Sequence, residues 1–109
     1  MKPLILHVPS LPATGMTIFP FILVKYLHVK DDKQIINHEM IHVRQQLETL
    51  IIPFYIIYLL HYLFNLLYFR RHEIAYRNIV FEREAYLSDA DPDYLKKRKF
   101  WAWLRFFKY

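Results

Sequence analysis

The chain has 109 residues, enough for one domain, with 55% hydrophobic and 18% aromatic residues and a single glycine. This composition excludes a disordered chain, and the absence of cysteine excludes disulfides and thiolate metal sites, so any metal must be held by histidine and carboxylate. The net charge is +5, and the surplus is local: Lys96, Lys97, Arg98, Lys99, Arg105 and Lys108 all follow the last acid, Asp93. A basic aromatic tail fits an anionic membrane surface better than base-by-base reading of DNA, so no specific nucleic acid partner is expected.

The N-terminus has a short apolar run broken by His7 and Pro9, and no signal peptide is recognised in it. With Pro3, Pro9 and Pro12 around it, Leu4–Val8 is at best a short edge strand. Thr14-Gly15 reads as a turn. Residues 17–29 are β-branched and aromatic and predict one or two strands, with Pro20 marking an edge or a bulge. Together these segments predict a short N-terminal antiparallel sheet.

Asp31 followed by Gln34 resembles a capping box, which predicts a helix start. From there Ile36, Met40, Val43, Leu47 and Leu50 recur at spacings of three and four and form one apolar stripe. His38, His42, Gln45 and Thr49 line the opposite side, and Arg44 and Glu48 are spaced to pair. Residues 50–69 are almost wholly apolar apart from His61 and Asn65. The run is long enough to cross a bilayer and is closed by Arg70, Arg71 and His72. Residues 73–88 predict a third helix, 89–93 a loop, and 94–109 a basic amphipathic segment. The expected fold is a minimal α+β, zincin-like single domain over 1–109: a short sheet, three helices and the tail.

Within the first helix lies His38-Glu39-Met40-Ile41-His42, the H-E-x-x-H pattern. Residues four apart share a helix face, so both imidazoles can reach one ion. Two imidazoles suit Zn2+, and Glu39 between them is placed to take a proton from a water that the metal activates. A third ligand is needed. On the helix 73–88, Ile74, Ala75, Asn78, Phe81, Glu82, Ala85 and Asp89 share the inward face. A carboxylate there needs a partner, and this favours Glu82. Asn78, Gln45 and Asp89 are candidates to hold the ligands from behind. Glu84 falls on the outward side and reads as solvated. Glu84 and His61 stay as alternative ligands.

His38-Glu39-Met40-Ile41-His42, with Glu82-Arg83-Glu84-Ala85 downstream, resembles the gluzincin clan of zinc metallopeptidases, in which a Glu from a later helix completes an H-E-x-x-H site. The resemblance spans roughly residues 14–89. It extends to small uncharacterised bacterial members and, through residues 17–22, distantly to BlaR-type membrane metallopeptidases. It implies His38, His42 and Glu82 as zinc ligands, Glu39 as general base, and an edge strand that holds extended substrate. Two features depart from the pattern: Tyr86 follows Ala85 where many relatives carry Asp or Asn, and no Gly follows the second His.

The expected activity is therefore peptide-bond hydrolysis of a peptide or protein substrate, with Tyr76, Tyr86 or His72 as oxyanion donor. Two arrangements let one site form: the chain folds back at Pro53, so that a third helix returns Glu82 to the histidines, which is the favoured one, or the apolar helix reaches only partway and returns through residues 70–78. Association with a bacterial inner membrane through 50–69 and 94–109 is expected, with Tyr55, Tyr58, Tyr62 and Tyr68 at the lipid boundary. The alternative is a catalytically silent metal-binding protein, or a helical protein that binds a membrane or a partner.

Overall fold

The computed structural model describes residues 4–107. Pro3, Lys108 and the end of the tail, on which expectations rest, lie outside them. The chain folds as a small α+β unit, a three-stranded sheet followed by helices. The strands are β1 (Leu4–His7), β2 (Gly15–Ile18) and β3 (Phe21–Val24), in the order β1-β3-β2. The sheet is mixed rather than antiparallel. β2 and β3 form a hairpin across Phe19-Pro20, whose peptide bond is cis, and β1 runs parallel to β3. The hairpin occupies one side of β3, so β1 can pair only with the other side. The intervening loop and β2 supply the crossover of about a dozen residues that parallel pairing requires. Gly15 starts β2 instead of making a turn, and residues 27–31 wind into a 3-10 turn instead of extending β3.

Helix α1 spans Lys33–Glu48. Its cap is Asp32, one residue later than expected: the carboxylate accepts from the backbone of Gln34 and Ile35, both at 3.1 Å. Met40 and Val43 pack onto Ile22, Val24 and Val29 of the sheet side, forming one apolar cluster. Leu47 and Leu50, predicted to continue that stripe, are exposed, while Gln45, Gln46, Glu48 and Thr49 are buried. The helix is thus covered on its polar side as well, because residues 80–88 lie there.

α1 ends in a Schellman-type turn. Leu50 adopts φ 61°, and the Ile51 N–H reaches back 2.7 Å to the Gln46 carbonyl. The chain folds back here, and Pro53 instead sits in the first turn of α2 (Ile52–Phe69), where its missing N–H costs nothing. The expected single helix over 73–88 is two: α3 (His72–Arg77) and α4 (Val80–Ser88). The Asn78 amide donates to the Ile74 carbonyl at 2.8 Å and closes α3, while the Val80 N–H, at the start of α4, donates to His61 Nδ1 at 2.9 Å. Two residues that the sequence nominated for the site therefore shape this break. α2 packs mainly on α3, and α1 on α4. Phe54, Ile79, Val80, Phe81 and Trp103 form a second apolar cluster.

The C-terminal segment is not one amphipathic helix. It makes a short α5 (Tyr94–Lys97) and a 3-10 turn over 102–106, and it packs back on the domain through Ala102 and Trp103.

Candidate metal centre

His38 and His42 sit one turn apart on α1, and their rings meet edge to face with centroids 4.9 Å apart. Glu82, from the first turn of α4, lies against both. Its Oε1 is 3.0 Å from His38 Nε2 and 3.1 Å from His42 Nε2. All three side chains are buried. One ligand atom from each lies within 4.8 Å of the others, so the group can hold a metal ion. The donor set fits the requirement: two imidazole nitrogens and a carboxylate, each able to approach an ion at about 2 Å.

Each imidazole is held by its far nitrogen. His38 Nδ1 lies 3.0 Å from Asp89 Oδ2, at the C-terminal end of α4. His42 Nδ1 lies 2.7 Å from Gln45 Oε1. The Gln45 amide has no freedom to flip, because its nitrogen donates to the Phe81 carbonyl at 3.0 Å and to Glu84 Oε1 at 2.9 Å. Its oxygen must then face His42, which puts the proton on Nδ1 and leaves Nε2 to bind. An acceptor behind each ligating histidine fixes the tautomer in this way.

Glu82 Oε2 accepts from the Tyr58 hydroxyl. Burial favours the neutral form of this carboxyl, but the His42 charge and the hydrogen bonds from both imidazoles outweigh it and hold Glu82 well below the usual carboxylate range. Burial opposes charging of His42 too. The Glu82 charge and hydrogen bond, with smaller help from Glu39 and Gln45, overcome that and raise His42 from 6.5 to about 9.

Glu39 is buried beside this group. The Thr17 hydroxyl of β2 donates to it, with Oγ1 2.8 Å from Glu39 Oε1 and 3.1 Å from the Glu39 carbonyl. Gln46 and Tyr55 pin the same strand: Gln46 Oε1 accepts from Phe19 N at 2.9 Å, and Gln46 Nε2 and the Tyr55 hydroxyl both donate to the Thr17 carbonyl. Two hollows meet at Glu39. One, about 450 Å³, is walled by Met16, Ile18, Phe54, Tyr55 and Tyr58 and reaches His42 and Glu82. The other, about 700 Å³ and more open, is lined by His38, Asp89, Tyr86 and His72. Gly15, Glu39 and Tyr76 border both.

Of the residues singled out in the sequence, His38, Glu39, His42, Gln45, Glu82 and Asp89 come together here. Asn78 does not: it caps α3 and accepts from Arg83 at 3.0 Å. His61 is committed to the Val80 N–H, so it is not a ligand. Glu84 is neither solvated nor a ligand. It is fully buried and receives bonds from Gln45, Tyr94 and Arg98. Glu48 pairs with Arg98, not with Arg44. Tyr55, Tyr58 and Tyr62 direct their hydroxyls to Thr17, Glu82 and His72 rather than outward. Sequence reasoning missed Thr17 and Tyr58, which reach the site from other elements. Gly15 was noticed only as a turn.

No protein-family model, curated protein or solved structure matches this chain.

Proposed function

We propose that the protein is a zinc-dependent metallopeptidase, with His38, His42 and Glu82 as ligands and Glu39 as general base. The observation that carries this reading is the position of Glu39. It lies next to the three donor residues and borders both hollows, so a chain laid through them would pass the base. Among the described residues the donor group has three members, and zinc sites that only hold a fold take four protein ligands. Bound zinc supplies Lewis acidity, which acidifies a water and polarises a carbonyl.

The chain's own residues do the rest. Glu39 takes the proton as water adds to the peptide carbonyl carbon, then delivers it to the amine as the C–N bond breaks. Thr17 holds one carboxylate oxygen of Glu39 in place for both transfers. Tyr76 is the candidate that best fits the oxyanion role, because it borders both hollows, whereas Tyr86 and His72 line only the second. Burial, and then the Glu82 charge, raise the Tyr76 pKa and keep it a donor.

The test is hydrolysis of a quenched-fluorescent peptide library by zinc-loaded protein, stopped by chelator and restored by zinc. Glu39→Gln is expected to keep one zinc per chain and to lower kcat by about a hundredfold or more. Equal turnover by the variant, at equal zinc content, would remove Glu39 from the reaction. One observation favours the silent reading: without metal, Glu82 is already satisfied by His38, His42 and Tyr58. Protein that retains no zinc through dialysis would decide for its metal-free form.

A further inference from the structure

Of the 18 residues of α2, only Phe54, His61 and Asn65 are buried. Their spacings of seven and four place them on the side toward α3 and α4. The other side exposes Ile52, Ile56, Leu59, Leu60, Phe64 and Leu67, from 53% to 79% of each residue. This stripe runs the whole helix, about 27 Å. It is wider than the isolated apolar residues that soluble surfaces carry.

The charges around the stripe are one-sided. No acid occurs from residue 49 to residue 72, and the helix closes on Arg70 and Arg71. Arg77 and Arg105 line a hollow beside Tyr68 and Phe69 at that same end. Five of the ten acids (Glu39, Glu48, Glu82, Glu84 and Asp89) are buried, so the basic surplus dominates the outer surface.

We propose that α2 lies flat on an anionic lipid bilayer, with this stripe immersed among the acyl chains and the arginines on the headgroups. A second copy of the chain is a poorer occupant, since each copy carries a net charge of +5 and offers no acid from residue 49 to residue 72 to pair with the arginines of the other. A crossing orientation is also disfavoured, because the inner side of α2 is committed to the domain that carries the buried polar site. An apolar face flanked by arginine is what interfacial helices use. The inference does not depend on the metal or on hydrolysis.

Vesicle flotation tests it, with the whole 109-residue chain on phosphatidylcholine vesicles and on phosphatidylcholine–phosphatidylglycerol vesicles. Binding is expected on the anionic vesicles and is weakened by salt. Leu60→Glu with Leu67→Glu should reduce it about tenfold or more. Arg70→Gln with Arg71→Gln should reduce it about fivefold per charge on anionic vesicles only. Both variants leave the candidate centre untouched, so zinc content and cleavage of a soluble peptide are followed in parallel and report on that reading separately. Failure to float with either vesicle overturns the proposal. So does a stable dimer in sedimentation that Leu60→Glu with Leu67→Glu dissociates, which would assign the face to a second copy.

Discussion

At the level of single residues, the one glycine of the chain stands where a side chain would crowd the proposed base. Gly15 has no positive φ, so its backbone does not require glycine. What requires it is space: a Cβ there would come within 3.2 Å of Glu39 Oε2. Gly15→Ala is expected to push the carboxylate aside by a few tenths of an ångström. The expected result is about a tenfold loss of kcat with zinc content unchanged, because catalytic geometry tolerates little displacement. Tyr76→Phe is expected to cost about a hundredfold in kcat, also with zinc retained, and a pre-steady-state assay on the same preparation would separate that from substrate binding. Much of this group is legible from α1 and α4 alone. His38, Glu39, His42 and Gln45 lie within eight positions of one helix, and Glu82 and Asp89 follow from the inward face of another. Thr17 and Tyr58 are not legible in that way. They contribute single hydroxyls from a strand and a helix whose approach depends on tertiary packing, and neither residue type stands out in its own segment.

At the level of elements, the interruption between α3 and α4 and the return of the C-terminal segment set where the carboxylates point. Periodicity over 73–88 places Ala75, Phe81, Glu82, Ala85 and Asp89 inward, where they are buried, but it also puts the exposed Ile74 inward and the fully buried Glu84 outward, and it cannot register that Asn78 stops one helix and His61 starts the next. The tail shows the same limit. Read as a basic surface strip, it nonetheless sends Arg98 inward, where its side chain is 2% exposed and bonds Glu48 and Glu84 together. Burial opposes that charge, yet the bonds to the two carboxylates raise the guanidinium pKa further, and Tyr94 adds a third partner to Glu84. Glu84 then holds Gln45, and Gln45 holds His42, so the tail reaches the candidate metal centre through three side chains. Arg98→Met would leave two buried acids facing each other. It is expected to destabilise the fold by about 3–5 kcal/mol, read as a lowered denaturation midpoint, whereas Arg98→Lys keeps a charge but not the fork and falls between. An unchanged midpoint in Arg98→Met would mean that the tail is merely laid on the surface.

For the whole molecule, the metal-free centre couples stability to pH in a direction opposite to the general charge. The net charge of +5 falls as pH rises, which eases self-repulsion and should stabilise the fold. His42 works the other way. Its pKa is raised on folding from 6.5 to about 9, so its contribution is complete below 6.5 and is lost as pH climbs through 9. Chelated protein should therefore melt at lower temperature at about pH 9.5 than at about pH 7, against the trend that net charge alone gives. With zinc present the order reverses. His42 must shed its proton to ligate, so zinc affinity should rise with pH up to about 9, and bound ligand stabilises the fold in proportion to the logarithm of its excess over Kd. Titration of zinc into weakly buffered apoprotein at about pH 7 should release roughly one proton per metal from His42. Paired melting curves with and without chelator, together with an indicator-dye titration, measure all three quantities. Parallel curves with no proton released would mean that His42 and Glu82 are not the pair that the metal displaces.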